Sequence, residues 1–253
     1  MSTSSSSDVT LGFFPSRQVS AKFTSLSIQE ACLVARSGDI LLISDSSINA
    51  YLINSICAAR WSHVAIIYRN KDRFGGRPCI FEAVMHAGKE IDIIKKRSVG
   101  GVRLIDLETY LMQFTGNAVA LRYLMTNNRY NVQRQMRIRA TRIIEEMIRE
   151  HHGKPYEFRW SEIVLARFPI IPRTSETPGA FFCSELVAYC YMNIGLIDPS
   201  ASVSSHYLPE EFSSTGDLEL LYPPGMPFTC FSPESKIIKL GDEMFIDTTK
   251  ESV

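Results

Sequence analysis

The sequence predicts an α+β fold in which an antiparallel sheet packs against helices, and three observations carry that prediction. Short apolar runs rich in β-formers cluster between about residues 40 and 124, separated by Gly-, Asn- and Asp-containing turns. Runs with apolar residues at three- and four-residue spacing lie before and after this cluster. Helices, then strands, then helices is not the alternation that a parallel, doubly wound sheet requires. With 253 residues, 45% of them apolar and 21% charged, the chain is long enough and apolar enough for one full core.

Residues 1–25 are Ser/Thr-rich and weakly patterned, which reads as a flexible tail. A short helix is expected over Ser27–Arg36. Gly38-Asp39 then leads into Ile40-Leu41-Leu42-Ile43, a buried strand. Ser46 and Ser47 can cap a helix carrying Ile48, Leu52, Ile53 and Ile56. Trp61–Arg69 and Cys79–Val84 flank a polar loop with Gly75-Gly76 and read as a hairpin. Ile91–Ile94 is expected to add a third strand, Ile105–Phe114 a helix, and Ala118–Leu124 another strand. Asn131–His151 is the clearest helix: Val132, Met136, Ala140, Ile143 and Met147 form one stripe, and Gly153 ends it. Arg134, Arg137, Arg142 and Arg149 lie elsewhere around it and read as a solvated face, with an anion or a peripheral membrane contact as the alternative. Glu157–Arg167 reads as a shorter helix, Tyr207–Phe212 as a turn or short helix, and Lys236–Leu240 as a last strand. The domain is therefore expected over 26–240, with 241–253 as a C-terminal tail.

Lys and Arg together equal Asp and Glu, so the zero net charge provides no global attraction to nucleic acid. Base-stacking aromatics interleaved with basic residues are not evident either. Six scattered cysteines (32, 57, 79, 183, 190 and 230) with no close pair fit a reducing compartment. The start of the chain has no basic and apolar Sec-type segment, and no apolar run reaches the roughly 20 residues a bilayer needs. A cytoplasmic location is the expectation. No nucleotide-binding or metalloprotease motif occurs. Cys183, Cys190 and His206 do not make a convincing zinc set, because the cysteine spacing simply repeats a helix face, so neither metal nor cofactor is expected.

The chemistry centres on Phe182-Cys183-Ser184-Glu185-Leu186. Leu186, Val187, Cys190, Tyr191 and Ile194 mark an apolar helix face that stops at Gly195, so Cys183 falls in the first turns of a buried helix. There the unpaired N–H groups and the helix dipole favour thiolate over thiol. A small core residue is the alternative reading. A thiol nucleophile needs a base and a group to orient that base. Among His63, His86, His151, His152 and His206, His63 stands out because it opens an apolar strand, while His151 and His152 read as helix-end residues. Glu82 is the one charge in the run Cys79–Val84. In an antiparallel hairpin, His63 and Glu82 share a face only if paired residue numbers sum to an odd value. Glu82 could then hold the imidazole, as the carboxylate of a serine triad does. A salt bridge to a nearby Lys or Arg is the alternative.

Gly38-Asp39-Ile40-Leu41-Leu42, Ser62-His63-Val64-Ala65-Ile66, Phe81-Glu82-Ala83, Gly153-Lys154-Pro155-Tyr156 and Phe182-Cys183-Ser184-Glu185-Leu186, in that order, resemble the permuted papain-like amidases. This is the YiiX/YaeF-like branch of the NlpC-type cysteine hydrolases, related to the lecithin retinol acyltransferase group. The resemblance covers roughly residues 36–215. It implies a permuted papain-like fold, with Cys183 as nucleophile at a helix N-terminus, His63 as base, Glu82 as third residue and Tyr156 near the substrate. It further implies a hydrolase that cleaves an amide of a peptide, an N-acyl amino acid or a lipid through a thioester. A lipid acyltransferase or phospholipase using the same three residues is one alternative, and a binding module without turnover is another.

Overall fold

The computed structural model describes residues 25–45, 59–126, 130–156, 180–216, 218–224 and 238–249. The expected helix after Ser46, the helix over Glu157–Arg167, Cys57, Cys230 and all but Ser25 of the 1–25 segment lie outside the described residues.

Strand β1 (Ser25–Ser27) leads directly into α1 (Ile28–Val34). Ser27 accepts from the Glu30 N–H and Glu30 reaches back to the Ser27 N–H, a reciprocal cap that fixes where the helix begins. Next come β2 (Ile40–Ser44), β3 (His63–Tyr68), β4 (Cys79–Val84) and β5 (Gly101–Asp106). They are followed by α2 (Leu107–Gln113), β6 (Ala118–Arg122), β7 (Leu124–Thr126), α3 (Tyr130–His151), α4 (Cys183–Ile194), β8 (Ile238–Leu240) and β9 (Met244–Asp247).

Seven strands form one sheet in the order β1-β9-β6-β2-β3-β4-β5, and β7 and β8 form a separate pair. The sheet is antiparallel as expected except at one edge, where β1 and β9 run parallel. That edge corrects the C-terminal boundary: residues 244–247 are not tail but a strand between β1 and β6. Met244-Phe245-Ile246 carries too few residues for a pattern to be seen in the sequence. The expected third strand is also corrected. Residues 91–94 form a turn because buried Asp92 accepts the N–H groups of Ile94, Lys95 and Leu104. The strand is Gly101–Asp106, and the following helix starts only at Leu107, capped by Asp106.

Alternation along the strands builds a layer on each face. Ile40, Leu42, Val64, Ile66, Phe81 and Leu104 pack with α3 and α4. Leu41, Ile43, Ala65, Ile67, Ile80 and Ile105 pack with α1 and α2. The solvated reading of the α3 arginines fails at Arg137, whose guanidinium is 2.6 Å from Asp39, a side chain with no exposed surface. Arg142 does fit it, pairing with Glu146 on the helix surface.

Gly38 lies where β2 meets α3 and has φ +88°. A Cβ there would stand 2.9 Å from Leu124 Cδ2 and 3.1 Å from Ala140 Cβ. Gly38→Ala is expected to cost roughly 2 kcal/mol through the left-handed backbone and the crowding. A lower urea midpoint with an unchanged slope is the expected result, and an unchanged midpoint refutes the account.

Candidate active site

Cys183 is the first residue of α4 and His63 the first residue of β3. Their neighbours hold both ends in place. Glu210 accepts from the N–H groups of Arg60 and Trp61 at 2.8 and 3.1 Å, fixing the backbone just before His63. Glu210 sits in the 3₁₀ turn Pro209–Phe212, and Arg122 binds the Phe212 carbonyl at 2.6 Å. At the other end, the Phe181 N–H donates to Pro155, and Glu185 receives the Phe182 N–H at 3.3 Å. The segment before Pro155 is tied to β5, because Gly153 donates to Val102 and Val102 donates to Lys154. The run Gly153–Tyr156 therefore joins the far edge of the sheet to the start of α4.

The register settles which side chains share a face. Ile66 faces Phe81 and Tyr68 faces Cys79, an odd-sum pairing. Carried down the strands, it sets Glu82 diagonal to His63 on the same face. His63 Nε2 is 2.7 Å from Glu82 Oε2. With Nε2 engaged, Nδ1 remains for the Cys183 thiol, which lies close enough to His63 to couple to its charge. The imidazole lies on the α1/α2 side of the sheet, whereas Cys183 heads a helix on the opposite side. They meet because His63 sits at the very end of its strand. The structure thus brings Cys183, His63 and Glu82 into one line.

The charges follow from this geometry. Burial acts to raise the Cys183 thiol, but His63 and the Val64 and Ser184 N–H groups outweigh it and hold the thiol below its ordinary range. Burial would depress His63; the Cys183 sulfur and then Glu82 more than compensate, and His63 rises to about 10. Glu82 is 1% exposed, yet Arg103 and His63 overcome its desolvation and lower it to about 2. The arrangement favours a thiolate–imidazolium pair backed by a carboxylate.

Arg103 was not singled out by the sequence reading. It stands directly opposite Glu82 in the β4–β5 register and contacts Glu82 Oε1 through both Nε and Nη2. Both readings of Glu82, histidine partner and salt bridge, are therefore realised together. The signal was present in Gly101–Asp106, where Arg103 lies between Val102 and Leu104 in an apolar strand.

A cavity of about 350 Å³ opens on the His63 side of this line, bordered by His63, Glu82, Arg103, Tyr110, His86 and Tyr156. Tyr156 also lies close to the reactive pair: burial, with Cys183 and Glu185 adding to it, pushes its phenol well above the ordinary value. His151 ends α3 and His152 directly follows it, but they are not solvated. His151 packs edge-on against Phe181 and Tyr189, and His152 lies 2.8 Å from Asp92. Cys79 and Cys190 are core residues. Among the described residues no helix is long and apolar enough to cross a membrane, and no cluster of three or more His, Cys, Asp or Glu could hold a metal ion.

No curated protein matches the chain. Among solved structures, one described as metalloprotein YiiX from Escherichia coli O157:H7 is similar at 18% identity, with 82% of this chain and 97% of that one covered and a TM-score of 0.40. The family model of the permuted papain-like amidases YaeF and YiiX matches residues 34–215. With that match spanning most of its length, the chain belongs to the permuted papain-like amidase family and has its α+β fold.

Proposed function

We propose that this protein cleaves an amide bond by cysteine chemistry, with Cys183 as nucleophile, His63 as general base and acid, and Glu82 orienting His63. One observation carries the reading: the His63 ring is held by the Glu82 carboxylate at 2.7 Å and faces the Cys183 thiol, with which it interacts electrostatically, at the start of a helix. The thiolate attacks the carbonyl carbon, and the Cys183 N–H at the head of α4 is suited to receive the oxyanion. Collapse breaks the C–N bond as His63 delivers its proton to the leaving amine, leaving a thioester. Water then attacks the thioester, His63 takes its proton, and the Cys183 thiolate departs with release of the acid. The acyl donor is a peptide, an N-acyl amino acid or a lipid amide, and Tyr156 contacts it from the cavity wall.

The test uses an electrophilic thiol probe followed by product analysis. The wild type is expected to be labelled at Cys183 within minutes and to release free acid from a panel of N-acyl amino acids and peptides. Cys183→Ala is expected to lose both labelling and release. Labelling of Cys183→Ala equal to that of wild type sinks the assignment. An acyl group found on an acceptor other than water redirects it to acyl transfer.

A further inference from the structure

We propose that Arg103 is a positioning residue of this site: its guanidinium fixes the Glu82 carboxylate, which in turn fixes the ring of His63. The inference rests on the roles just given to Cys183 and His63. Its basis is a division of labour between two oxygens. Arg103 Nε and Nη2 both lie on Glu82 Oε1, at 2.9 and 2.8 Å, while Oε2 is kept for His63 at 2.7 Å. Arg103 is itself only 4% exposed and is steadied by longer contacts, 3.4 Å each, to the Val99 carbonyl and Glu90 Oε2.

The need for such a residue follows from the reaction cycle. The titratable groups facing Glu82 are His63 from β3, Arg103 from β5 and Tyr110 from α2; Glu90, from the segment before β5, reaches it through Arg103. Only the guanidinium keeps its positive charge throughout. His63 must lose and regain a proton in every turnover. While it is neutral, Glu82 without Arg103 would be a buried carboxylate with no counter-charge, and it would take up a proton. A protonated Glu82 donates to Nε2 instead of accepting from it. The neutral ring is then forced to carry its hydrogen on Nδ1, facing the sulfur, where it can no longer act as a base. Arg103 prevents that reversal.

The sign of the effect separates this role from a merely electrostatic one. If Glu82 stayed ionised on its own, removing a nearby cation would favour the imidazolium and widen the pH range of the ion pair. The proposal requires the opposite.

The experiment follows alkylation of Cys183 by iodoacetamide, read on the Cys183 peptide by mass spectrometry, from about pH 5 to about pH 10. Wild type, Arg103→Gln, Arg103→Lys, Glu82→Gln and Glu82→Gln/Arg103→Met are compared, each checked for cooperative thermal unfolding. Arg103→Gln is expected to be at least about tenfold slower at neutral pH, with the rise in rate displaced to higher pH. Arg103→Lys should fall between, because it restores the charge but not the fork. Adding Arg103→Met to Glu82→Gln should change little, since Arg103 acts through Glu82. A folded Arg103→Gln with the wild-type profile overturns the proposal, and so does a double variant about tenfold slower than Glu82→Gln alone. Should Arg103→Gln fail to fold, the Glu82→Gln pair decides alone, since the double variant removes both members of the buried pair. A wild-type Cys183 no more reactive than an ordinary thiol removes the functional reading, and this inference with it; that outcome is visible in the wild-type arm before any Arg103 variant is considered.

Discussion

His63→Ala is expected to slow alkylation of Cys183 at neutral pH by about 100-fold or more and to change the shape of its pH profile. In the wild type the imidazolium persists to about 10 while the thiol is held below its ordinary range. Between those limits thiolate is favoured, so the rate should vary less with pH across the neutral range than that of an ordinary thiol. Without the ring, burial is the leading influence on Cys183 and pushes the thiol upward. Thiolate content then falls about tenfold for each pH unit by which the thiol lies above the working pH, and the rate should climb through the alkaline range. Amide hydrolysis should fall further than alkylation, because the leaving amine also loses its acid, a contribution of about 10²–10⁴-fold. A wild-type profile and rate in His63→Ala remove His63 from the mechanism. Stability should follow the same charges. The contribution of His63, raised in the folded state, is complete below about 6.5 and is lost as pH rises through about 10. That of Glu82, lowered to about 2 from 4.5, is present above about 4.5 and is lost as pH falls toward 2.

How much of this was legible in the chain depended on whether local pattern or distant contact decided the outcome. The hairpin and the pairing of His63 with Glu82 were readable, because one charge in an apolar strand demands a partner and strand parity limits where that partner can lie. Cys183 at the head of a helix was readable from the apolar spacing up to Gly195. Arg103 was not, because its strand was sought ten residues earlier. The run Ile91-Asp92-Ile93-Ile94 has the composition of a strand, but the Asp92 carboxylate gathers three backbone N–H groups and folds it into a turn. The contribution of β9 was equally hidden, since its place between β1 and β6 is set by partners more than 100 residues away. Nor does anything local to Tyr207–Phe212 reveal that Glu210 holds the backbone before His63.

Asp39→Ala is expected to cost about 3–5 kcal/mol while sparing the chemistry of the site. Asp39 has no exposed surface. Its Oδ1 accepts from the Leu124 N–H at 2.8 Å and from Arg137 at 2.6 Å, and its Oδ2 accepts from the Arg36 N–H at 2.8 Å. One carboxylate thus ties the chain after α1, the start of β2, the start of β7 and the middle of α3. Alanine leaves the Leu124 N–H without its acceptor and Arg137 without its counter-charge, and such losses within a buried pair add to one another. Asp39→Asn retains an acceptor but not the charge, so a loss of about 2 kcal/mol is expected. The measurement is the urea midpoint of each variant, with Cys183 alkylation recorded below the transition. Asp39 precedes Ile40, whereas His63 faces Ile43 at the far end of β2, so folded Asp39→Ala should keep the wild-type alkylation profile. A loss below about 1 kcal/mol would falsify the structural role, and a shifted alkylation profile would join Asp39 to the site. The stretch Gly38-Asp39-Ile40-Leu41-Leu42 is one of the five that carry the family resemblance, and on this account its part is to close the fold rather than to take part in the proposed chemistry.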